Sequence, residues 1–207
     1  MVRRDLDINP PLYEAADQEF RRRRIAYIET LRAEGGSEAA RWAQPESHRE
    51  RWGLRGIELA RLVKPGERVF EFGAGRSQVA AALPSGCDYV GSDATPLSPE
   101  VMVFDLNAPS LAPIEDFDVA LFSGVLEYVH DLPRLLEYLS RYFCSVIASY
   151  APRLTESESE IEARRYSGWF NDYSKAELEG LFAQAGFAIA SSGEWKAQLL
   201  YRLDRNR

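Results

Sequence analysis

Four residues in the first half of the chain have the types and spacing to hold a nucleotide. Glu71, Gly73 and Gly75 form a run of acid, any residue, Gly, any residue, Gly, and Asp93 follows in the same region. Glycines let the backbone approach a ligand closely, and a carboxylate can accept hydrogen bonds from ribose hydroxyls. The pattern therefore predicts a site in which a backbone turn and an acid meet one ligand.

The elements around these residues must bring the turn and the acid to one edge of a sheet. The apolar run 69–72 predicts a short buried strand that breaks into the glycine turn, and residues 78–83 favour the start of a helix. A Pro-Ser-Gly sequence at 84–86 ends that helix, and residues 88–92 predict a second strand with Asp93 just past its end. This order is typical of a nucleotide-binding βαβ unit.

The spacing of the glycines helps to separate two classes of ligand. A dinucleotide fingerprint, G-x-G-x-x-G, would have its third glycine at position 78, where this chain has the long polar side chain of Gln78. The run from Glu71 to Gly75 instead resembles the first motif of class I S-adenosylmethionine-dependent methyltransferases, an acid followed by three alternating glycines. Ser77 occupies the last glycine position of that motif. The turn of another α/β domain is the alternative that this motif alone leaves open.

A second segment resembles the same family. Residues 101–104 predict a short apolar strand, and Asp105 and Leu106 follow it. Family members often carry an acid here that accepts from the adenine amino group, beside an apolar side chain that contacts the ring. An aspartate that caps its own loop is the alternative interpretation of Asp105.

A third segment matches a later family motif. Residues 117–123 form the most continuous apolar strand, which suits the centre of a parallel sheet. Leu126-Glu127-Tyr128 follows where the family has Leu-Glu-His, so that Tyr128 takes the place of the histidine and His130 lies two residues later. Asp131 is predicted to cap the next helix, with Pro133 in the first turn.

The C-terminal part also resembles the family. Ser174 and Glu177 have the spacing of a capping box, and Gly186 is expected to end the helix that they begin. Residues 187–190 and 194–203 predict a terminal hairpin that turns at Ser192-Gly193. Class I methyltransferases close their sheet with an antiparallel last strand, whereas nicotinamide domains alternate strand and helix throughout.

The resemblance implies an α/β fold with a Rossmann-like, doubly wound, seven-stranded sheet and an antiparallel last strand. It implies S-adenosylmethionine as the cofactor, with the glycine turn beside its methionine portion and Asp93 on both ribose hydroxyls. Glu71 would hold the turn or the cofactor's amino group. The cofactor-binding candidates are Glu71, Gly73, Ala74, Gly75, Asp93, Ala94, Asp105, Leu106, Ser123 and Gly124.

The chemistry that the resemblance implies is in-line methyl transfer from an activated sulfonium, so alignment of the acceptor matters most. A hydroxyl or amine acceptor also needs a group that takes its proton, and Tyr128, His130 and Glu127 are the candidates. The aromatic segment 168–173 predicts either an anchor for the last helix or the wall of an acceptor pocket. The resemblance favours the pocket, with Trp169, Asn171 and Tyr173 as substrate-binding candidates.

Composition limits the other possibilities. The chain has 207 residues, 45% of them hydrophobic and 28% charged, as in a globular protein with one substantial domain. A net charge of −7 argues against a general nucleic-acid binder and favours a small-molecule, saccharide or lipid-intermediate acceptor. Two isolated cysteines predict neither a disulfide framework nor a metal site. We expect no secretory signal, no membrane span and a cytoplasmic location.

Two units are expected along the chain. Residues 1–64 would form an arm (1–12) and two helices (13–33 and 47–63) that pack on the catalytic domain, and residues 65–207 would form the domain that binds S-adenosylmethionine. In the family, such an extension lies over the cofactor pocket. The alternatives to a methyltransferase are a non-catalytic scaffold of the same fold and a nicotinamide oxidoreductase. The oligomeric state is not predicted.

Overall fold

The structure is a computed structural model that describes residues 18–47 and 52–206. Its centre is a seven-stranded sheet with the strand order β3-β2-β1-β4-β5-β7-β6. The strands are β1 (Arg68–Phe72), β2 (Asp88–Asp93), β3 (Met102–Val103), β4 (Val119–Phe122), β5 (Ser145–Tyr150), β6 (Phe187–Trp195) and β7 (Gln198–Arg205).

The pairing of the strands confirms the predicted fold class. Strands β3, β2, β1, β4 and β5 run parallel to their neighbours, whereas β7 lies antiparallel to both β5 and β6. The strand order reverses between β1 and β4, the two central strands. In open α/β sheets, ligands bind outside the carboxyl ends of the strands at such a switch point.

Helices cover both faces of the sheet. One apolar cluster joins Phe72 and Phe122 of the central strands to Leu135 of the helix that follows β4. The cluster on the other face joins Leu59, from the N-terminal extension, to Val69 of β1. The helices are α1 (Gln18–Glu34), α2 (Ala39–Trp42), α3 (Trp52–Ala60), α4 (Leu132–Tyr142), α5 (Glu158–Ser167) and α6 (Lys175–Gln184).

The predicted helix starts agree with the observed caps. The Asp131 side chain accepts from the backbone N–H of Arg134 at 3.0 Å, and this bond caps the N-terminus of α4. Ser174 and Glu177 form the reciprocal capping box of α6. Both caps satisfy backbone donors that the first turn of a helix leaves without an intrahelical partner.

The helix predicted for residues 78–83 is wrong. Only a three-residue 3-10 helix, Ala80–Ala82, forms between the glycine turn and β2. Ser77 has a left-handed φ of 52°, which delays the start of a helix, and Pro84 prevents its continuation. The high helix propensity of alanine cannot stabilise an α-helix over such a short span.

The terminal hairpin exists, but its predicted turn is misplaced. The chain turns at Lys196 and Ala197, where Trp195 pairs with Gln198, and β6 runs without a break through the predicted Ser192-Gly193 turn. Lys196 adopts the positive φ of 53° that a tight hairpin needs. A register shift between Ile189 and Ser191 gives β6 one residue more than the facing part of β7.

The N-terminal predictions are tested only in part. The expected helix 13–33 corresponds to α1, but its first residues and the expected arm 1–12 lie outside the described residues. The expected helix 47–63 corresponds to α3, and residues 48–51 also lie outside the described residues.

None of the described helices is long and apolar enough to cross a membrane.

Ion pairs join α1 to α2 and α1 to α5. The Glu38 carboxylate, 4% exposed, accepts hydrogen bonds from Arg24 and from Arg41, the latter at 3.0 Å. Arg165 of α5 pairs with Glu29 of α1 at 2.7 Å. Because removal of one partner from a buried pair leaves the other charge uncompensated, these contacts favour one docked position for the extension.

Candidate functional site

A large cavity opens at the switch point of the sheet. The ends of β1, β2 and β4 form its floor, and residues of α2, α3 and the segment after α5 form its walls. All ten residues predicted to bind the cofactor line this cavity. The fold therefore brings the separate sequence motifs to one place.

The glycine turn after β1 has the conformation that its sequence requires. Gly73 has a φ of 67°, and a Cβ atom on it would lie 2.4 Å from Cγ2 of Val125. Any side chain at position 73 would thus collide with the loop after β4. Ser77, at the last glycine position of the family motif, has a φ of 52° and makes a left-handed turn without a glycine.

Asp93 connects this turn to the end of β2. One carboxylate oxygen, Oδ2, accepts from the backbone N–H of Gly75 at 3.0 Å, and Oδ1 accepts from that of Thr95 at 3.1 Å. A carboxylate has about four lone-pair sites, so two such bonds leave capacity for the hydroxyls of a ribose. The acid therefore shapes the turn and also lines the cavity.

Glu71 lies in the wall of the cavity and is 2% exposed. Its Oε2 accepts from the Tyr89 hydroxyl at 2.5 Å. Burial raises the pKa of Glu71 to about 8, although the hydrogen bond from Tyr89 and the charge of Arg55 act in the opposite direction. This carboxyl group can therefore change its charge near neutral pH.

Arg55 of α3 reaches across the cavity to the ends of two strands. Its Nη2 donates to the backbone oxygen of Ser123 at 2.9 Å, and its Nη1 donates to Oε1 of Gln198 at 3.1 Å. The guanidinium lies directly against Gly124, since a Cβ there would be 2.3 Å from Nη2. The N-terminal extension thus supplies a buried cation to the site.

Asp105 and the residues after it form the side of the cavity nearest β3. Asp105 Oδ1 accepts from the backbone N–H of Asn107 at 2.9 Å, so the acid caps its own loop and also lines the cavity. Asn107 donates to the Ser37 hydroxyl at 3.1 Å and to the Tyr128 backbone oxygen at 2.9 Å. One amide therefore joins the extension, the loop after β3 and the loop after β4.

Glu127 has the one buried carboxylate oxygen without a partner among the described residues. The side chain is 1% exposed, its Oε1 accepts from the backbone N–H of Ala151 at 2.8 Å, and its Oε2 accepts no hydrogen bond. Burial raises the pKa of Glu127. A buried oxygen of this kind is costly unless a ligand or water satisfies it, and Glu127 lines the cavity.

Aromatic side chains from distant parts of the chain form the outer wall. The ring of Trp42 lies edge-on to Tyr128 with centroids 5.2 Å apart, and Trp52 is 6.3 Å from Trp42. Trp169 lines the same cavity from the segment after α5. Such a wall provides flat apolar faces for a planar or cationic acceptor.

Three of the candidate catalytic and substrate-binding residues lie outside this lining. His130 Nε2 hydrogen-bonds to the Gly36 backbone oxygen at 2.7 Å, and its ring stacks on Phe170 at 4.1 Å. Asn171 is buried and donates to the backbone oxygens of residues 126 and 129. Tyr173 packs against the core. His130 and Asn171 thus support the loop that carries Glu127.

Several cavity residues were not found from the sequence. Arg55, Trp42 and Gln198 lie far from the recognised motifs: Arg55 and Trp42 reach the site because the extension folds over the sheet, and Gln198 reaches it from the start of β7. The sequence does contain one indication of this part of the site, because Trp52 and Arg55 lie one helical turn apart on α3. Among the described residues, no group of three or more His, Cys, Asp or Glu side chains is placed to bind a metal ion.

Comparison with known proteins identifies the class. Residues 45–192 match a family described as a methyltransferase domain. Since the match spans more than half of the chain, the protein belongs to this methyltransferase family. This confirms the predicted enzyme class and, with it, S-adenosylmethionine as the methyl donor. No curated protein matches the chain.

Solved structures show the same fold at low sequence identity. The chain is similar to one in the complex of the Haloferax volcanii Trm112 activator with a methyltransferase (TM-score 0.64, 18% identity, 83% of this chain and 99% of that one). It is also similar to the Burkholderia thailandensis 1,6-didemethyltoxoflavin-N1-methyltransferase (TM-score 0.58, 15% identity, 93% of this chain and 92% of that one). A third similar structure is the mitomycin 7-O-methyltransferase MmcR (TM-score 0.59, 13% identity, 78% of this chain). The chain spans 56% of the length of MmcR.

The residues of the cavity fit the cofactor that the family uses. Gly73 has a positive φ and no room for a side chain, because Val125 fills the space where its Cβ would lie, and its backbone lines the cavity. Asp93 lies at the end of the neighbouring strand with acceptor capacity for a ribose, and its bond to Gly75 keeps the turn and the acid together.

Proposed function

We propose that this protein transfers a methyl group from S-adenosylmethionine to an oxygen or nitrogen atom of a small organic acceptor. Small molecules, saccharides and lipid intermediates are the acceptor classes that its size and acidic charge favour. The observation that carries the proposal is that the glycine turn, Asp93 and a Glu127 oxygen without a partner among the described residues meet in one cavity.

The cofactor supplies an activated methyl group, so the protein's own task is to bind, orient and exclude water. The backbone at Gly73 and Gly75 gives a surface close to the ligand, and Asp93 provides acceptors for ribose hydroxyls. Leu106 and Asp105 offer an apolar face and an acceptor for the adenine. These roles extend the sequence prediction to the observed positions of the side chains.

Glu127 is the candidate for receiving the proton of the acceptor. Its Oε2 needs a hydrogen-bond donor, which an acceptor hydroxyl or N–H would provide. Its pKa is raised by burial, which makes the carboxylate a stronger base than an exposed glutamate. Trp42, Tyr128 and Trp169 would hold the acceptor from the open side and keep water away from the methyl group.

Calorimetric titration of the purified protein with S-adenosylhomocysteine tests the cofactor part of the proposal. We expect saturable binding at one site per chain, with NADH unable to compete. A panel of small hydroxyl and amine compounds, assayed with S-adenosylmethionine for formation of S-adenosylhomocysteine, then tests catalysis. Binding without turnover on any compound would favour a scaffold, and absence of binding would remove the proposal.

A further inference from the structure

Arg164 of α5 is a buried cation that lies outside the lining of the cavity. The residue is 3% exposed, and its Cζ atom lies over the ring of Trp169, 4.8 Å from the ring centroid. Trp169 does line the cavity. A guanidinium has five donors in one rigid plane, so it can hold several acceptors in a fixed arrangement. Arg164 is thus able to organise the wall from its protein side.

Four acceptors surround this guanidinium. Its Nε donates to Oδ1 of Asp172 at 3.1 Å, and its Nη1 donates to the backbone oxygen of Ala151 at 2.8 Å. Its Nη2 donates to the Tyr150 hydroxyl at 3.3 Å and to the backbone oxygen of Asn171 at 3.1 Å. These bonds fasten the end of β5 to the segment after α5.

Ala151 connects Arg164 to Glu127. While the backbone oxygen of Ala151 accepts from Arg164, its N–H donates to Oε1 of Glu127 at 2.8 Å. The other carboxylate oxygen, Oε2, has no hydrogen-bond partner among the described residues. The position of Ala151 therefore determines where the Glu127 carboxylate is held, and Arg164 fixes that position.

A second series of hydrogen bonds reaches the loop that carries Glu127. The Tyr150 hydroxyl, which accepts from Arg164, donates to Oδ1 of Asn171 at 2.6 Å. The Asn171 amide in turn donates to two backbone oxygens of that loop, at 2.7 and 2.9 Å. Arg164 thus supports both the side chain of Glu127 and the backbone on either side of it.

The charges around Glu127 give Arg164 an electrostatic effect as well. Burial raises the pKa of Glu127, whereas hydrogen bonds from backbone N–H groups and the positive charges of Arg55 and Arg164 lower it. Two phenols, Tyr128 and Tyr150, also face this carboxyl, and burial raises the pKa of both, so that they are neutral near neutral pH. Two arginines therefore favour the ionised form of Glu127 against its burial.

We propose that Arg164 is a positioning residue for Glu127: through Ala151 it holds the carboxylate in place, and its charge favours the ionised form that takes a proton. The inference rests on the proposed function, in which Glu127 receives the proton of the acceptor. Because Arg164 lies outside the cavity lining, it acts through Glu127 and not by contact with the ligands.

Arg165, the next residue of α5, provides a matched control. It is 1% exposed and, like Arg164, it donates to Oδ1 of Asp172, at 2.7 Å. Its Nε donates to Glu29 of α1 at 2.7 Å. A substitution of Arg165 therefore disturbs the same buried ion-pair cluster on the side that faces α1, and it should leave Glu127 unaffected.

The ionisation of Glu127 can be measured by ¹³C NMR of ligand-free protein with labelled glutamate side chains. Glu127→Gln identifies the signal, which is the one that this variant lacks. In Arg164→Gln, which removes the charge, the midpoint of the titration should rise by about one pH unit or more. Arg164→Lys, which keeps the charge, and Arg165→Gln should each stay within about 0.3 pH unit of the wild type.

The same displacement should appear in catalysis. With an acceptor that is methylated, the rise of kcat with pH should move to higher pH in Arg164→Gln. A displacement of one pH unit lowers kcat about tenfold on the acid side of the rise, and a higher pH should restore most of this loss. Arg165→Gln should lower the temperature of thermal unfolding but leave the pH profile of kcat in place.

Three results would overturn the inference: a wild-type Glu127 titration in Arg164→Gln, an equal displacement in Arg165→Gln, or a displacement in Arg164→Lys as large as in Arg164→Gln. If Arg164→Gln does not fold, Arg164→Met must show the displacement in its place. The NMR titration requires no acceptor, so it decides the effect of Arg164 on Glu127 independently of turnover. A wild-type kcat in Glu127→Gln would instead refute the proposed base, whatever the titration shows.

Discussion

The Tyr89 hydroxyl on β2 donates a 2.5 Å hydrogen bond to Glu71 Oε2 on the adjacent strand β1, inside the wall of the cavity. Burial raises the pKa of Glu71 to about 8, so the free protein holds this carboxyl largely protonated at neutral pH. Burial and the neighbouring Glu71 also raise the pKa of Tyr89, which therefore stays a hydrogen-bond donor. The pair forms a neutral, titratable link between the two strands.

This link predicts a pH dependence of stability. The unfolded chain ionises Glu71 near its ordinary pKa of 4.5, but the folded protein keeps the proton up to about pH 8. The stabilisation is complete below pH 4.5 and is lost as the pH rises through 8. Between pH 6 and pH 9 the wild type should lose roughly 2 to 3 kcal/mol of unfolding free energy that Glu71→Gln does not lose.

Urea unfolding of the ligand-free protein at both pH values measures this difference. Glu115→Gln, which removes an exposed carboxyl, is the matched control and should follow the wild type. Parallel pH profiles for the wild type and Glu71→Gln would show instead that Glu71 stays ionised in the folded protein throughout this range.

Asp93→Ala should weaken binding of S-adenosylhomocysteine at least tenfold. The substitution removes the Oδ2 bond to Gly75 and also the carboxylate that we propose as the acceptor for ribose hydroxyls. Tenfold corresponds to about 1.4 kcal/mol, which is within the range of one charge-assisted hydrogen bond. Titration calorimetry measures the affinity for S-adenosylhomocysteine. The control is Asp88→Ala, an exposed substitution at the other end of β2, which should bind with the affinity of the wild type. Unchanged affinity would remove Asp93 from the site.

The sheet and the glycine-turn side of the cavity were predictable because they depend on local patterns. The turn from Glu71 to Gly75 and the acid at Asp93 are close in sequence and belong to one βαβ unit, whose geometry follows from strand and turn residues. The α-helix predicted for residues 78–83 does not form because two neighbours oppose the helix propensity of its alanines. Ser77, before the segment, has a left-handed φ, and Pro84 follows the segment.

The opposite wall of the cavity was less predictable because it is assembled from distant segments. Trp42 and Arg55 come from the extension, and Gln198 comes from the last strand, so no local spacing relates them. The sequence predicts Asn171 as a substrate residue because the family resemblance puts acceptor-binding segments after the fifth strand, where segment 168–173 has aromatic residues beside polar ones. The structure shows that its amide groups are used by backbone oxygens and by the Tyr150 hydroxyl at 2.6 Å, which a sequence pattern does not reveal.

Glu127→Gln should reduce kcat by about 10² to 10⁴, the usual contribution of a general base, and leave the affinity for S-adenosylhomocysteine within about threefold. The amide keeps the shape and the bond from Ala151 but cannot take a proton. In the wild type, kcat should rise with pH as the carboxylate forms, since burial raises the pKa of Glu127. Steady-state kinetics on a responsive acceptor measures both effects. A wild-type rate in Glu127→Gln would transfer the role to another group.

The two other catalytic candidates should behave differently from Glu127. Burial raises the pKa of Tyr128, so its phenol stays protonated near neutral pH, and Tyr128→Phe should change kcat by about threefold or less. His130→Gln should leave kcat similar but make the chain near Gly36 more sensitive to protease, because the 2.7 Å bond to the Gly36 oxygen is lost. A hundredfold loss of kcat in either variant, with normal folding, would identify that residue as the base instead.

Gly124→Ala should destabilise the protein and disturb the position of Arg55. The new Cβ would lie 2.3 Å from Nη2 and 2.4 Å from Cζ of that guanidinium, and the φ of 68° at Gly124 disfavours any side chain. Gly180→Ala is the matched control, because its Cβ meets nothing within 4 Å and it lies inside α6. Alanine there should stabilise the helix by about 0.5 to 1 kcal/mol. Thermal unfolding should therefore move the two variants in opposite directions, whereas equal shifts would mean that the space over Gly124 is not closed by Arg55.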